Sequence, residues 1–341
     1  MALDRFASLS ASTSANMPNT MSFNFGGSER MSAAAITKDP LGKRSSNGDD
    51  PSLAAADAFM RFTLAHGLAQ NRRMNSHPDP RTEADLDSAP VVYEQPLNER
   101  MRTFLRLEFL YTQATYHSEL PNPWSSRAAV ASLLEILAIT ARGDSRSDVL
   151  KELERQVNVL REYQTKPGVD PARLKSLMSN LLKLRNDLSM VGGNFMGPLR
   201  DSEFLSAIKH RSAIPGGTCD FDLPDYSYWL NRPAEVRANE FGVWLSQIRP
   251  LCDGIAELLW LTRQNAKCKS ETAVGGIYQL QFDRENPCQL VRVALPAQID
   301  LFPEISGSGH RCTIRFLHWA EAAGRPAHVE TDVPFLLTCC P

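Results

Sequence analysis

Apolar residues recur at helical spacing from Leu97 onward. Leu97, Met101, Phe104, Leu105 and Tyr111 fall on or near one face of a helix that must end before Pro121. A second helix is predicted to start at Ser125 or Ser126, to bury Val130, Leu133, Leu134 and Leu137, and to stop at Gly143. A third follows with Ser147 as N-cap and Leu150, Leu153, Val157 and Leu160 in steps of three and four. Lys166, Pro167 and Gly168 break it. Asp170 then caps a fourth helix that opens on Pro171, where a missing N–H costs nothing. Its Leu174, Leu177, Leu181, Leu184, Leu188 and Val191 form a narrow seam that ends at Gly192 and Gly193. The third and fourth helices should pair as an antiparallel hairpin, their seams meeting either each other or a second subunit.

The period changes after residue 213. Pro215, Gly216 and Gly217 read as a turn, and Cys219, Phe221 and Leu223 then alternate with polar neighbours as in a strand. A helical insertion over residues 233–265, bent or split at Pro250, offers Phe241, Trp244, Leu245, Ile248, Ile255, Leu258, Leu259 and Leu261 for burial. Strands are predicted over 277–282, 289–295, 311–319 and 328–337. The resulting fold class is α+β, a helical bundle domain (91–212) plus a mostly antiparallel β-sheet domain (213–341) whose helical insertion packs on the bundle.

Composition adds an N-terminal division. Residues 1–90 are crowded with Ser, Ala, Asn, Asp, Pro and Met, too few apolar groups to offset the entropy of ordering them. They read as a disordered extension, an over-long start or a partner-binding arm. Within them residues 53–68, with Phe59, Phe62 and Leu64, have the pattern of a short helix.

Charge and motifs narrow the function classes. A formal net charge of −2 over 341 residues argues against a broad electrostatic grip on nucleic acid. No stretch approaches the roughly 20 apolar residues that span a bilayer. The seven cysteines all lie between Cys219 and Cys340 without paired Cys-x-x-Cys units, which points to reduced thiols in a cytoplasmic protein. No phosphate-cradling loop, nucleophile elbow or metal-ligand spacing is present, so no catalytic residue, metal or cofactor is assigned. A Cys219, Asp220 and His210 grouping, or zinc on Cys288, Cys339 and Cys340 with His310 or His318, lacks the spacing those chemistries need.

The clearest functional pattern is in residues 311–316, Arg-Cys-Thr-Ile-Arg-Phe. Alternation turns Cys312, Ile314 and Phe316 inward and puts Arg311, Thr313 and Arg315 on the other face. Two guanidinium forks on one face suit carboxylates in a way lysines would not. The same pattern also fits a plain solvated sheet face. A nucleic-acid module using this strand, with Trp319, Phe316 and Tyr278 for stacking, is the alternative class.

Residues 94–108 (Glu-Gln-Pro-Leu-Asn-Glu-Arg-Met-Arg-Thr-Phe-Leu-Arg-Leu-Glu) closely resemble the opening of the ZapD family of bacterial cell-division proteins. Residues 150–156, 212–224 and 301–316 and the closing Cys339-Cys340 pair resemble the same family in the same order. The resemblance implies a cytoplasmic homodimer at the midcell division ring. It would be without catalytic activity or cofactor and would bind the C-terminal tail of FtsZ to bundle its protofilaments, with no nucleic-acid or membrane partner. It also implies that the tail is held by basic residues at Arg311, Arg315 and, at the turn between the second and third helices, Arg142. Arg146 is a weaker addition to that patch. Read by itself, Arg142 is a cation placed favourably near a helix C-terminus. The N-terminal extension is where this sequence departs from shorter relatives.

Overall fold

The computed structural model describes residues 90–164, 169–192, 194–283, 287–319 and 324–341. The expected extension, the short helix over 53–68 and the break at Lys166–Gly168 lie outside them. The described chain is α+β and forms three layers: helices, an inner sheet and an outer sheet.

Four long helices begin the helical layer after strand β1 (Val91–Pro96): α1 (Glu99–Ser118), α2 (Pro123–Arg142), α3 (Ser145–Tyr163) and α4 (Pro171–Met190). Each start is set by a side-chain oxygen accepting a free N–H of the first turn: Asn98 from Met101, Asn122 from Ser125, Asp144 from Ser147, and Asp170 from Ala172 and Arg173. Helices α2 and α3 therefore start earlier than their serines suggested, because Ser125 and Ser147 supply donors to caps three residues upstream. Helix α2 is long and apolar enough to cross a membrane by composition, which corrects the sequence expectation. Its apolar face, including Val130, Leu133 and Ile136, is fully buried in the helical core.

Residues 213–223 are not a strand. They form successive turns, with Gly217 N–H donating to Ile214 O, Cys219 to Gly216 O and Asp222 to Cys219 O. Gly216 at φ +73° lets the chain reverse where a side chain would be strained. After the short helix α5 (Gly197–Arg200), helices α6 (Glu203–Ser212), α7 (Pro224–Leu230) and α8 (Ala234–Gln264) complete the layer. Helix α8 runs unbroken through Pro250 and packs on α1, α3 and α4. Phe204, Tyr226, Trp229, Phe241 and Trp244 join α6, α7 and α8, with the Trp229 and Trp244 rings stacked at 5.6 Å. The buried Arg237 guanidinium ties α8 to its surroundings by donating to Ser126 Oγ (3.0 Å), Leu230 O (3.1 Å), Arg232 O and Pro121 O.

The inner sheet is antiparallel, in the order β1, β4 (Leu290–Leu295), β8 (Val333–Cys340) and β2 (Cys268–Ala273). The outer sheet runs β3 (Ile277–Gln281), β6 (Arg311–His318), β5 (Phe302–Ser308), with β7 (Ala327–His328) paired to the end of β6. Strand β4 is buried along its whole length because it has a covered layer on each side. Val291, Val293 and Leu295 join Ile314, Phe316 and Phe335 between the sheets, whereas Leu290 and Cys340 belong to the helical core.

Charged residues cross the seam between helices and inner sheet. Arg263 of α8 donates to both carboxylate oxygens of Glu94 on β1 (2.9 and 2.8 Å) and of Glu108 on α1 (2.7 and 2.7 Å), and Arg292 of β4 pairs with Glu94 at 2.8 Å. Burial by itself would raise the Glu94 carboxyl, but Arg263 and Arg292 outweigh it and hold Glu94 below its ordinary value. Burial opposes the charge on Arg263 too, and its hydrogen bonds to Glu108 and Glu94 more than offset that and raise it.

Arg263→Met leaves two carboxylates in this seam without their shared partner and should cost about 3 kcal/mol in chemical denaturation. A carboxyl depressed in the folded state contributes stability that is complete above its unfolded pKa and is lost as pH falls through the folded one. Acid unfolding of the unmodified chain should therefore sharpen below about pH 4.5, and circular dichroism should place the midpoint of Arg263→Met at higher pH.

Candidate protein-binding site

The outer sheet positions Arg311 and Arg315 as the alternation requires. Cys312, Ile314 and Phe316 are at most 1% exposed in the intersheet core, and this fixes the odd-numbered side chains of β6 outward. The arginines are four residues apart on one strand face, about 13 Å at strand rise. Arg315 faces Glu304 across the β5–β6 pair, its Nη1 lying 3.4 Å from Oε2 with both side chains about half exposed. Arg311 is exposed and, among the described residues, has no ion pair. Beside it a groove of about 820 Å³ is lined by Gln279 and Gln281 of β3, Arg311 and Thr313 of β6, and Ser306 and Ser308 of β5.

Arg142 belongs to a different element. It ends α2, exposed, in the helical layer, and among the described residues it too has no ion pair. Arg146, in the first turn of α3, has another role. Its guanidinium donates to Leu188 O (3.2 Å), Ser189 O (3.0 Å) and Gly192 O (2.6 Å), satisfying the carbonyls at the end of α4, and lies over the Phe195 ring. The structure thus brings Arg311 and Arg315 onto one face, presents Arg142 from the helical layer, and commits Arg146 to holding α3 against α4.

Glu304, Gln279 and Gln281 went unnoticed in the sequence. Their place beside the arginines depends on strand register: Ile277 opposite Arg315, Gln281 opposite Arg311 and Glu304 opposite Arg315. The alternation of residues 302–308 was the available signal, weakened by Pro303, Gly307 and two serines.

The other groupings do not assemble. Cys219 Sγ lies 3.5 Å from Asp222 Oδ2, and His210, Asp220 and Cys219 form no hydrogen-bonded triad among the described residues. All seven thiols are free. Among the described residues no group of three or more His, Cys, Asp or Glu side chains is arranged to hold a metal ion. Of the aromatic residues considered for base stacking, Phe316 is fully buried and Tyr278 packs edge-on against Phe335 at 5.3 Å. Trp319 remains, half exposed.

The outer face of this sheet carries guanidinium, amide and hydroxyl groups over a packed core. Residues 105–315 match the family model ZapD, described as a cell division protein. The chain is 42% identical over 250 residues to the cell division protein ZapD of Methylococcus capsulatus, covering 73% of this chain and 98% of that one. It is 36% identical to ZapD of Chromobacterium violaceum over 250 residues (73% and 99%) and 36% identical to ZapD of Aromatoleum aromaticum over 256 residues (75% and 99%). The chain belongs to the ZapD family of cell division proteins, and these relatives are named for division rather than for any catalysed reaction.

Arg146→Ala should lower stability by about 0.5–1.5 kcal/mol, since it removes hydrogen bonds to Leu188 O and Ser189 O in the last turn of α4 and to Gly192 O beyond it, of which only the first is shielded from water, whereas Arg142→Ala should leave the melting temperature within about 1 °C of the unmodified chain because surface substitutions of this kind are close to neutral. Thermal melts of the two variants, run side by side, distinguish the capping arginine from the free one.

Proposed function

We propose that this chain, as a cytoplasmic homodimer at the midcell division ring, binds the acidic C-terminal tail of FtsZ and cross-links or bundles FtsZ protofilaments. The observation that supports this most directly is the outward pair Arg311 and Arg315, carried on a strand whose other face is locked in the core. Arg142, free at the end of α2, supplies a further cation from the helical layer. Membership of a cell division family gives the setting, and the reading calls for no enzyme activity, nucleic acid or membrane.

Magnitudes shape the mechanism. An exposed arginine–carboxylate pair contributes about 0.2–1 kcal/mol, while micromolar binding requires about 8 kcal/mol. Three such pairs do not reach it. Apolar tail residues must also be buried, and a dimer with two sites gains avidity by engaging two filaments at once. Weak single contacts then suffice for a bundle.

Cosedimentation with FtsZ filaments checks this. The unmodified chain should pellet with them, less as salt rises because exposed charges are screened, and should not pellet with FtsZ lacking its tail. The Arg311→Glu, Arg315→Glu double variant should stay in the supernatant with an unchanged circular dichroism spectrum. Equal pelleting of tail-deleted FtsZ, or undiminished pelleting of the double variant, would remove the assigned site.

A further inference from the structure

The outer face has two chemically unlike ends. Register lays three rows across it from β3 through β6 to β5: Ile277, Arg315 and Glu304; Gln279, Thr313 and Ser306; Gln281, Arg311 and Ser308. In the first row Glu304 already supplies a carboxylate to Arg315. The third row has no acid, so the Arg311 fork stands between an amide and a hydroxyl. The groove covers the second and third rows and stops short of Arg315 and Glu304.

Taking the proposed tail binding as its premise, we infer that the acidic peptide lies in this groove with Arg311 as its carboxylate anchor and Gln279 and Gln281 as uncharged partners of its main chain, while Glu304 is a resident competitor that occupies Arg315 until a peptide carboxylate displaces it. Three features carry this. A carboxamide both donates and accepts, so a pair of them on alternate residues of one strand matches the N–H and C=O of an extended peptide. Gln279 and Gln281 are exposed and share the Arg311 face. Glu304 presents Arg315 with the same functional group that an acidic peptide brings, through a pair solvated enough to exchange. Arg311 and Arg315 are therefore unequal: one is open to ligand, and the other is reached only by exchange.

The test is a fluorescence anisotropy titration of a labelled FtsZ C-terminal tail peptide against the full chain and its variants at low and high salt. Glu304→Gln, which keeps size and removes charge, should tighten binding by about two- to fivefold, with the gain shrinking at high salt. Arg311→Gln should weaken binding more than Arg315→Gln. The Gln279→Ala, Gln281→Ala double variant should weaken it by about three- to tenfold with an unchanged salt dependence, because no charge is lost. Thermal melts matching the unmodified chain show that these exposed substitutions leave the fold intact. Binding by the unmodified chain with Glu304→Gln no tighter, or with the glutamine variant unaffected, overturns this inference and leaves tail binding standing. Absence of any binding by the unmodified chain overturns both.

Discussion

The arrangement of layers depends on Arg263. Its guanidinium is held by two carboxylates from separate elements, Glu94 on β1 and Glu108 on α1, and Glu94 is shared with Arg292 on β4. Four charges are thus gathered where the helices meet the inner sheet, in surroundings only 11–20% exposed. Hydrophobic contact is non-directional and tolerates small displacements between a helix and a sheet. Paired forks are not, because a slip would leave a charge without a partner in a poorly solvated seam. The cluster therefore sets the register in which α1 and α8 lie on the inner sheet.

That register carries through to the outer face that holds Arg311 and Arg315. With its helix side covered, the inner sheet directs Val291, Val293, Phe335 and Leu337 at the outer sheet, where Ile314 and Phe316 meet them. Phe316 and Phe335 lie 5.1 Å apart at the centre of the contact. A strand fixed this firmly on one side has no freedom to rotate its other side, so Arg311, Thr313 and Arg315 are presented in a set geometry. The polar face owes its order to the apolar one.

The sequence disclosed this unevenly, for physical reasons. Local signals were strong in α1 to α4, where caps and three-four spacing act within one turn, and in β6, where strict alternation of Cys312, Ile314 and Phe316 with polar residues marks a sheet with one dry face. Strands β1, β2 and β5 were missed. Val91–Pro96 and Cys268–Ala273 mix charge with β-branched residues, and they are strands because β4 and β8 pair with them from far along the chain. The turns over 213–223 imitate alternation in Cys219, Phe221 and Leu223, yet Phe221 is 87% exposed and Leu223 is buried among helices. The two-sided burial of β4 hid Arg292 in an apolar run. At the site the arginines were legible because they share one strand, while Glu304, Gln279 and Gln281 reach them only through pairings that no local pattern encodes.

The inner sheet also orders events in time. Strand β8, the last in the chain, lies between β4 and β2, and β1 joins across the sheet to a strand about two hundred residues later. Ribosomal synthesis runs in one direction, so the helices can collapse while residues 333–340 are still to be made, but the sheet has a gap at its centre until they arrive. Until then the edges of β4 and β2 that pair with β8 are open, the state in which a nascent chain is most exposed to mispairing. The inner sheet is thus itself held open, during synthesis, until residues 333–340 are in place.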